Sequence, residues 1–173
     1  MHGVDALTDQ EQSLVRRTAA QTLQGAFAGF DVRFGDDALG ARLIRIEETP
    51  YRAYGTVTPV HPGTVGMTYP VATSSSVYPD ALYHAELTAV RCRAFTACDT
   101  KTRGQLLEGL GRGIGASAAH ELGHQAGLEF SHDLQCDDCY DSHRADTVVH
   151  FFGVKRWSTT ALTIMRRLLP SPR

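Results

Sequence analysis

The chain has 173 residues, 42% of them hydrophobic and 21% charged, with a net charge of −2 at neutral pH. One domain of that length can bury a core without metals or disulfides to hold it, and the near-neutral charge offers no field for nucleic acid. With no run of eighteen apolar residues to span a membrane and no signal-peptide pattern in Met1-His2-Gly3-Val4-Asp5, the expectation is a monomer, either cytosolic or a trimmed mature domain.

In chain order, Thr8-Asp9-Gln10-Glu11 is a capping box. Val15, Ala19, Leu23, Ala26 and Phe27 follow at helical spacing, which predicts a helix over residues 9–27, ended by Gly29. Residues 30–34 alternate apolar and polar as a half-buried strand would, and 43–47 predict a second strand. Residues 51–80 are rich in Gly, Pro, Ser and Thr; a short strand is expected at 64–69 and loop at 73–79. Residues 81–95 fit helix or strand equally well. A long helix is expected over 104–127, with Leu107, Leu110, Ile114, Ala118 and Leu122 as its apolar stripe. Its glycines, at 109, 111, 113 and 115, cost about 1 kcal/mol each relative to alanine, which makes sense if the helix backbone lies close against the sheet. Gly127 sits where a left-handed residue ends a helix. Phe151, Phe152 and Trp157 are expected in the core, and Ser158 should cap a last helix stopped by Pro170. Two strands following one helix predict an α/β or α+β domain.

Chemistry concentrates in His120-Glu121-Leu122-Gly123-His124. On a helix, residues four apart share a face, so both imidazoles can reach one ion. Glu121, about 100° further round, is placed to take a proton from water activated by that ion, which is the chemistry of metal-assisted hydrolysis.

The stretch from Ile114 through Gly127-Leu128 resembles the active-site helix of metzincin metalloproteases, particularly their matrixin-like and adamalysin-like bacterial forms. The resemblance implies an α+β fold, an α/β sandwich with a twisted sheet packed on two helices, a glycine-ended active-site helix, and a zinc cleft between an upper part (1–127) and a small lower part (128–173) with a final helix. It tips residues 85–95 towards a cleft-edge strand on which a peptide pairs. Two positions depart from the family pattern. Its third zinc ligand, a histidine three residues after the glycine, is Phe130 here, and its methionine turn is Cys136-Asp137-Asp138-Cys139-Tyr140 with tyrosine in the methionine's place. His132 is the expected third ligand, with Asp133, His143 and His150 as alternatives. Cys92, Cys98, Cys136 and Cys139 leave open two disulfides, a second, structural zinc or free thiols.

The expected function is a zinc-dependent endopeptidase: His120, His124 and His132 hold the metal and Glu121 is the general base. The alternative is an inactive metzincin-like protein that binds zinc and a peptide or protein partner.

Overall fold

The computed structural model describes residues 7–35, 42–46, 66–68, 74–77, 100–129, 131–142 and 148–169. Among them lie four α-helices and three strands: α1 (Asp9–Ala26), β1 (Leu43–Ile46), β2 (Gly66–Thr68), β3 (Ser74–Val77), α2 (Arg103–Gly123), α3 (Val148–Phe152) and α4 (Thr159–Met165). The mixture of helix and strand is α+β, one of the two classes predicted from the element order. Residues 81–95, Cys92, Cys98, Phe130 and His143 lie outside the described residues.

Both long helices begin with the same device. Glu11 N–H donates to Thr8 Oγ1 (3.3 Å) while Thr8 N–H donates to the Glu11 carboxylate (3.0 Å); Thr102 and Gln105 repeat the exchange at the start of α2. Arg103 reaches across to Glu11 at 2.5 Å, and that guanidinium, helped by the Thr8 amide, draws the Glu11 carboxyl down to about 2. The two helices then run in the same direction. Gly111 packs on Val15 and Thr18, and Gly115 on Ala19 and Thr22; an added Cβ would stand 2.7 and 2.5 Å from the Val15 and Ala19 carbonyl oxygens. On another face, Gly109 and Gly113 give room to Phe152 and Phe151. The glycines therefore admit helices α1 and α3 rather than the sheet, and that close packing offsets their low propensity.

The strands form one sheet in the order β1-β3-β2, with β3 parallel to β1 and antiparallel to β2. The central strand falls in residues 73–79, where loop was expected. Its serine-rich sequence lacks an apolar signal, yet Ser75 and Val77 are buried, because the Ser75 hydroxyl is hydrogen-bonded to Thr68 and Gln125. Residues 30–34, predicted as a strand, are not in the sheet. Phe30 N–H donates to Phe27 O and Val32 N–H to Phe30 O, both at 2.9 Å, and Phe30 and Phe34 gather around Phe27 instead. Phe27 lies 5.6 Å from the Trp157 ring and 6.0 Å from Phe34, and Trp157 Nε1 donates to Ala26 O at 2.8 Å. The alternation that suggested a strand reflects the packing of Phe30 and Phe34 on Phe27.

α2 passes into a single π turn (His124–Leu128) that ends at Gly127, whose φ is 99°. An added Cβ there would also meet Leu168 Cδ1 at 2.6 Å. Gly127→Ala is expected to lower stability by about 1–2 kcal/mol from left-handed strain alone, read as a lower urea midpoint at unchanged slope. A midpoint equal to that of the parent protein would show that this turn does not need glycine. α4 begins at the predicted cap, with Ala161 N–H donating to Ser158 Oγ at 3.1 Å, and buries Ala161 and Met165 against Leu122, Leu128 and Trp157.

Candidate metal centre

Position along α2 sorts its polar residues into two stripes. Gly113, Ser117, His120 and His124 follow one another at helical spacing on the face that meets α3 and the turn at 136–142. Glu121 and Gln125, one residue further round, face the sheet. The consequence is that imidazoles and carboxylate leave the same two turns of helix in different directions.

On the first stripe, His120 and His124 approach with their Nε2 atoms 2.9 Å apart. His132, beyond the π turn, stacks on His120 with ring centroids 5.1 Å apart and stands 5.0 Å from His124. One ring nitrogen from each of the three lies within 4.8 Å of the others. The glycine turn thus carries the chain back far enough for His132 to face the helix. His120 Nδ1 is 2.8 Å from the Tyr140 carbonyl oxygen; donating there fixes the tautomer and leaves the Nε2 lone pair towards its neighbours. Tyr140 itself is buried beside Trp157, 5.2 Å between ring centroids. The residue in the methionine's place therefore supports the histidine through its backbone.

Two of the other third-ligand candidates, His150 and Asp133, are engaged elsewhere, and His143 lies outside the described residues. His150 is buried one turn up the same stripe, with Nε2 3.1 Å from Gly113 O and 3.3 Å from Ser117 Oγ and with Lys155 Nζ 3.4 Å from its Nδ1. Asp133 accepts the Gln135 N–H at 3.0 Å and lies near the Cys136 and Cys139 sulfurs. Those two sulfurs form a disulfide, whereas a structural zinc would require both as thiolates.

Four further hydrogen bonds hold the turn at 136–142 beside the histidines. The buried Asp141 carboxylate accepts from Ser158 N–H (3.0 Å) and Ser158 Oγ (2.6 Å), and its carbonyl accepts from Asp133 N–H (3.1 Å). Tyr140 N–H donates to Arg156 O at 2.8 Å. Neither Asp141 nor the Tyr140 carbonyl carries a sequence signal for this role.

On the second stripe, the Glu121 carboxylate is buried against β2. The Thr68 hydroxyl donates to it and lies 3.2 Å from the Glu121 carbonyl, and a Cβ on Gly66 would come within 2.5 Å of Oε1. Burial pushes the Glu121 carboxyl up to about 7, against the pull of Thr68. Burial, with the neighbouring His124 adding to it, draws His120 down to about 3; His124 and His150 are also lowered by burial. The imidazoles are neutral at pH 7 and have lone pairs to offer.

These shifts set opposite pH dependences in metal-free protein. The histidines bind protons in the unfolded chain first, so their stability is present above pH 6.5 and is lost as pH falls towards about 3. Glu121 holds its proton longer when folded, so its stability is present below pH 4.5 and is lost as pH rises through about 7. The melting temperature in chelator is expected to be lower at pH 5 than at pH 7, because the histidines outnumber the glutamate. At pH 8, Glu121→Gln should melt above the parent protein, by up to on the order of 3 kcal/mol in stability. A parent protein that melts equally at pH 5 and pH 7 would argue against buried neutral imidazoles.

The residues fit a zinc ion. Three imidazoles are a known donor set for catalytic zinc, and two nitrogens bound tetrahedrally to one zinc stand about 3.3 Å apart, close to the spacing of the His120 and His124 Nε2 atoms. His124 Nδ1 is buried and makes no hydrogen bond of ordinary geometry. Compared with models of protein families, with curated proteins and with solved structures, the chain matches none.

Proposed function

We propose that this chain is a zinc-dependent endopeptidase built on the metzincin plan, a twisted sheet over two helices with a cleft between residues 1–127 and 128–173. The observation that carries the reading is the convergence of His120, His124 and His132, with Glu121 leaving the same helix beside them. Bound zinc would supply Lewis acidity, lowering the pKa of water and polarising a carbonyl. The protein's own residues do the rest. His120, fixed through Nδ1 by the Tyr140 carbonyl, presents Nε2. Glu121, with a carboxyl near 7, is poised to take a proton from water at its carboxylate oxygen and to return it to the leaving amine. An extended peptide would pair either with β2, which among the described residues has a strand neighbour on one side and lies against Glu121, or with residues 85–95.

Zinc content after dialysis, together with cleavage of an unfolded protein with and without chelator, tests this reading. One zinc per chain and chelator-sensitive cleavage is the expected result; no metal and no cleavage rejects it. A second reading, a zinc-binding protein that captures peptides without cutting them, is favoured by the engagement of Glu121 with Thr68. Bound zinc without turnover would select it.

A further inference from the structure

The side of Glu121 away from the histidines is built, too. Gln125 is the residue four beyond Glu121, as His124 is four beyond His120, so it shares the stripe that faces the sheet. Its Nε2 donates to Ser75 Oγ at 2.6 Å. Ser75 Oγ and Thr68 Oγ1, paired across the antiparallel register of β3 and β2, are 2.6 Å apart. Thr68 Oγ1 meets the Glu121 carboxylate.

Donor counting gives these four groups one direction. The amide nitrogen has protons and no lone pair to offer, so the Ser75 oxygen must accept from it. Ser75 then directs its single proton to Thr68, and Thr68 directs its own to Glu121. Every hydroxyl in the row is used once as acceptor and once as donor. The row ends on a carboxylate that can only accept when ionised. All four side chains are buried or half-buried, and a broken link would leave a polar group unsatisfied at a cost of about 1–3 kcal/mol. Such a row holds the carboxylate at one place against β2 and aligns the hydroxyl dipoles with it.

The geometry points to Thr68, Ser75 and Gln125 as positioning residues that hold the Glu121 carboxylate for proton transfer in the reaction proposed above, on which this inference rests. They touch neither metal nor substrate in that reading. They act through Glu121, and of the three serines of β3 it is Ser75 whose hydroxyl is a link in the row.

The test needs one readout that does not depend on turnover. In metal-free protein carrying 13C-labelled glutamate, the infrared carboxyl band of Glu121 is identified by its absence in Glu121→Gln. At a single pH that band is expected to move in Thr68→Val and in Ser75→Ala, and to return to the parent position in Thr68→Ser. In zinc-loaded protein, kcat should fall roughly 10- to 100-fold in Thr68→Val, with KM and zinc affinity within about twofold, and Thr68→Ser should recover most of the rate. A band unmoved in both Thr68→Val and Ser75→Ala overturns the relay whether or not the protein cleaves anything. A moved band with unchanged kcat overturns the positioning role. If the band moves but zinc-loaded parent protein cleaves nothing, the relay stands and the peptidase reading fails. Ser75→Ala removes only a hydroxyl, so it keeps the question open to measurement should Thr68→Val fold poorly.

Discussion

Glu121→Ala is expected to keep the bound metal and to lose hydrolysis, with kcat falling by about 10²- to 10⁴-fold, the range a positioned general base contributes. The two effects separate because of where the side chain goes. Glu121 leaves α2 towards β2, with Thr68 as its hydrogen-bond donor, whereas the three imidazoles meet on the neighbouring face. Its removal takes away no nitrogen of the cluster. It also removes a carboxyl that burial holds at about 7, so the folded state above that pH is relieved of a buried charge even as Thr68 loses its acceptor. Zinc per chain should therefore stay at the parent value while turnover collapses. Cleavage at the parent rate would show that another group takes the proton. Loss of zinc together with activity would show that the carboxylate is a ligand and not a base.

The second large effect is expected at His132. His132→Ala should weaken zinc binding by on the order of 3 kcal/mol, about a hundredfold or more, taking structural zinc sites as a guide to the worth of one ligand. Asp133→Ala and His150→Gln should leave affinity within a few-fold, since Asp133 serves a local turn and His150 is turned to Gly113 and Ser117. Competition with a chromophoric chelator reads all three. Equal affinity in His132→Ala and the parent would remove His132 from the metal set. A large loss in Asp133→Ala would put a carboxylate in its place. The imidazole is the better candidate because it stacks on His120 at 5.1 Å although it lies in an exposed segment, a position that chain connectivity alone does not require.

How far the sequence could be read depended on whether each role leaves a local pattern. Caps do: Thr8, Thr102 and Ser158 each accept from an amide in the first turn of their helices, although the Thr102 box had not been singled out. The helical spacing of His120 and His124 and the glycine at 127 are local as well, and the meeting of the first two rings and the left-handed turn follow from them. The central strand carries no such pattern, because its buried Ser75 is satisfied by side chains from β2 and from the π turn after α2, a fact visible only once those elements are adjacent. Residues 30–34 mislead in the opposite sense, since aromatics spaced to pack on Phe27 mimic the alternation of a strand. At the site, the Tyr140 backbone carbonyl is indifferent to the side chain that carries it, so neither methionine nor tyrosine would have announced it. Thr68 lies far from Glu121 in sequence and had no reason to be chosen among the many threonines.

Asp141 binds Ser158, the cap of α4, with its carboxylate and the Asp133 amide next to His132 with its carbonyl. It is also the neighbour of Tyr140, whose carbonyl meets His120. One aspartate thus couples the orientation of two imidazoles to the seating of a helix that contributes none of them. A shift of the last helix, by truncation or by a change in its packing on Trp157, would therefore be expected to reach the histidine cluster through Asp141 without touching an imidazole.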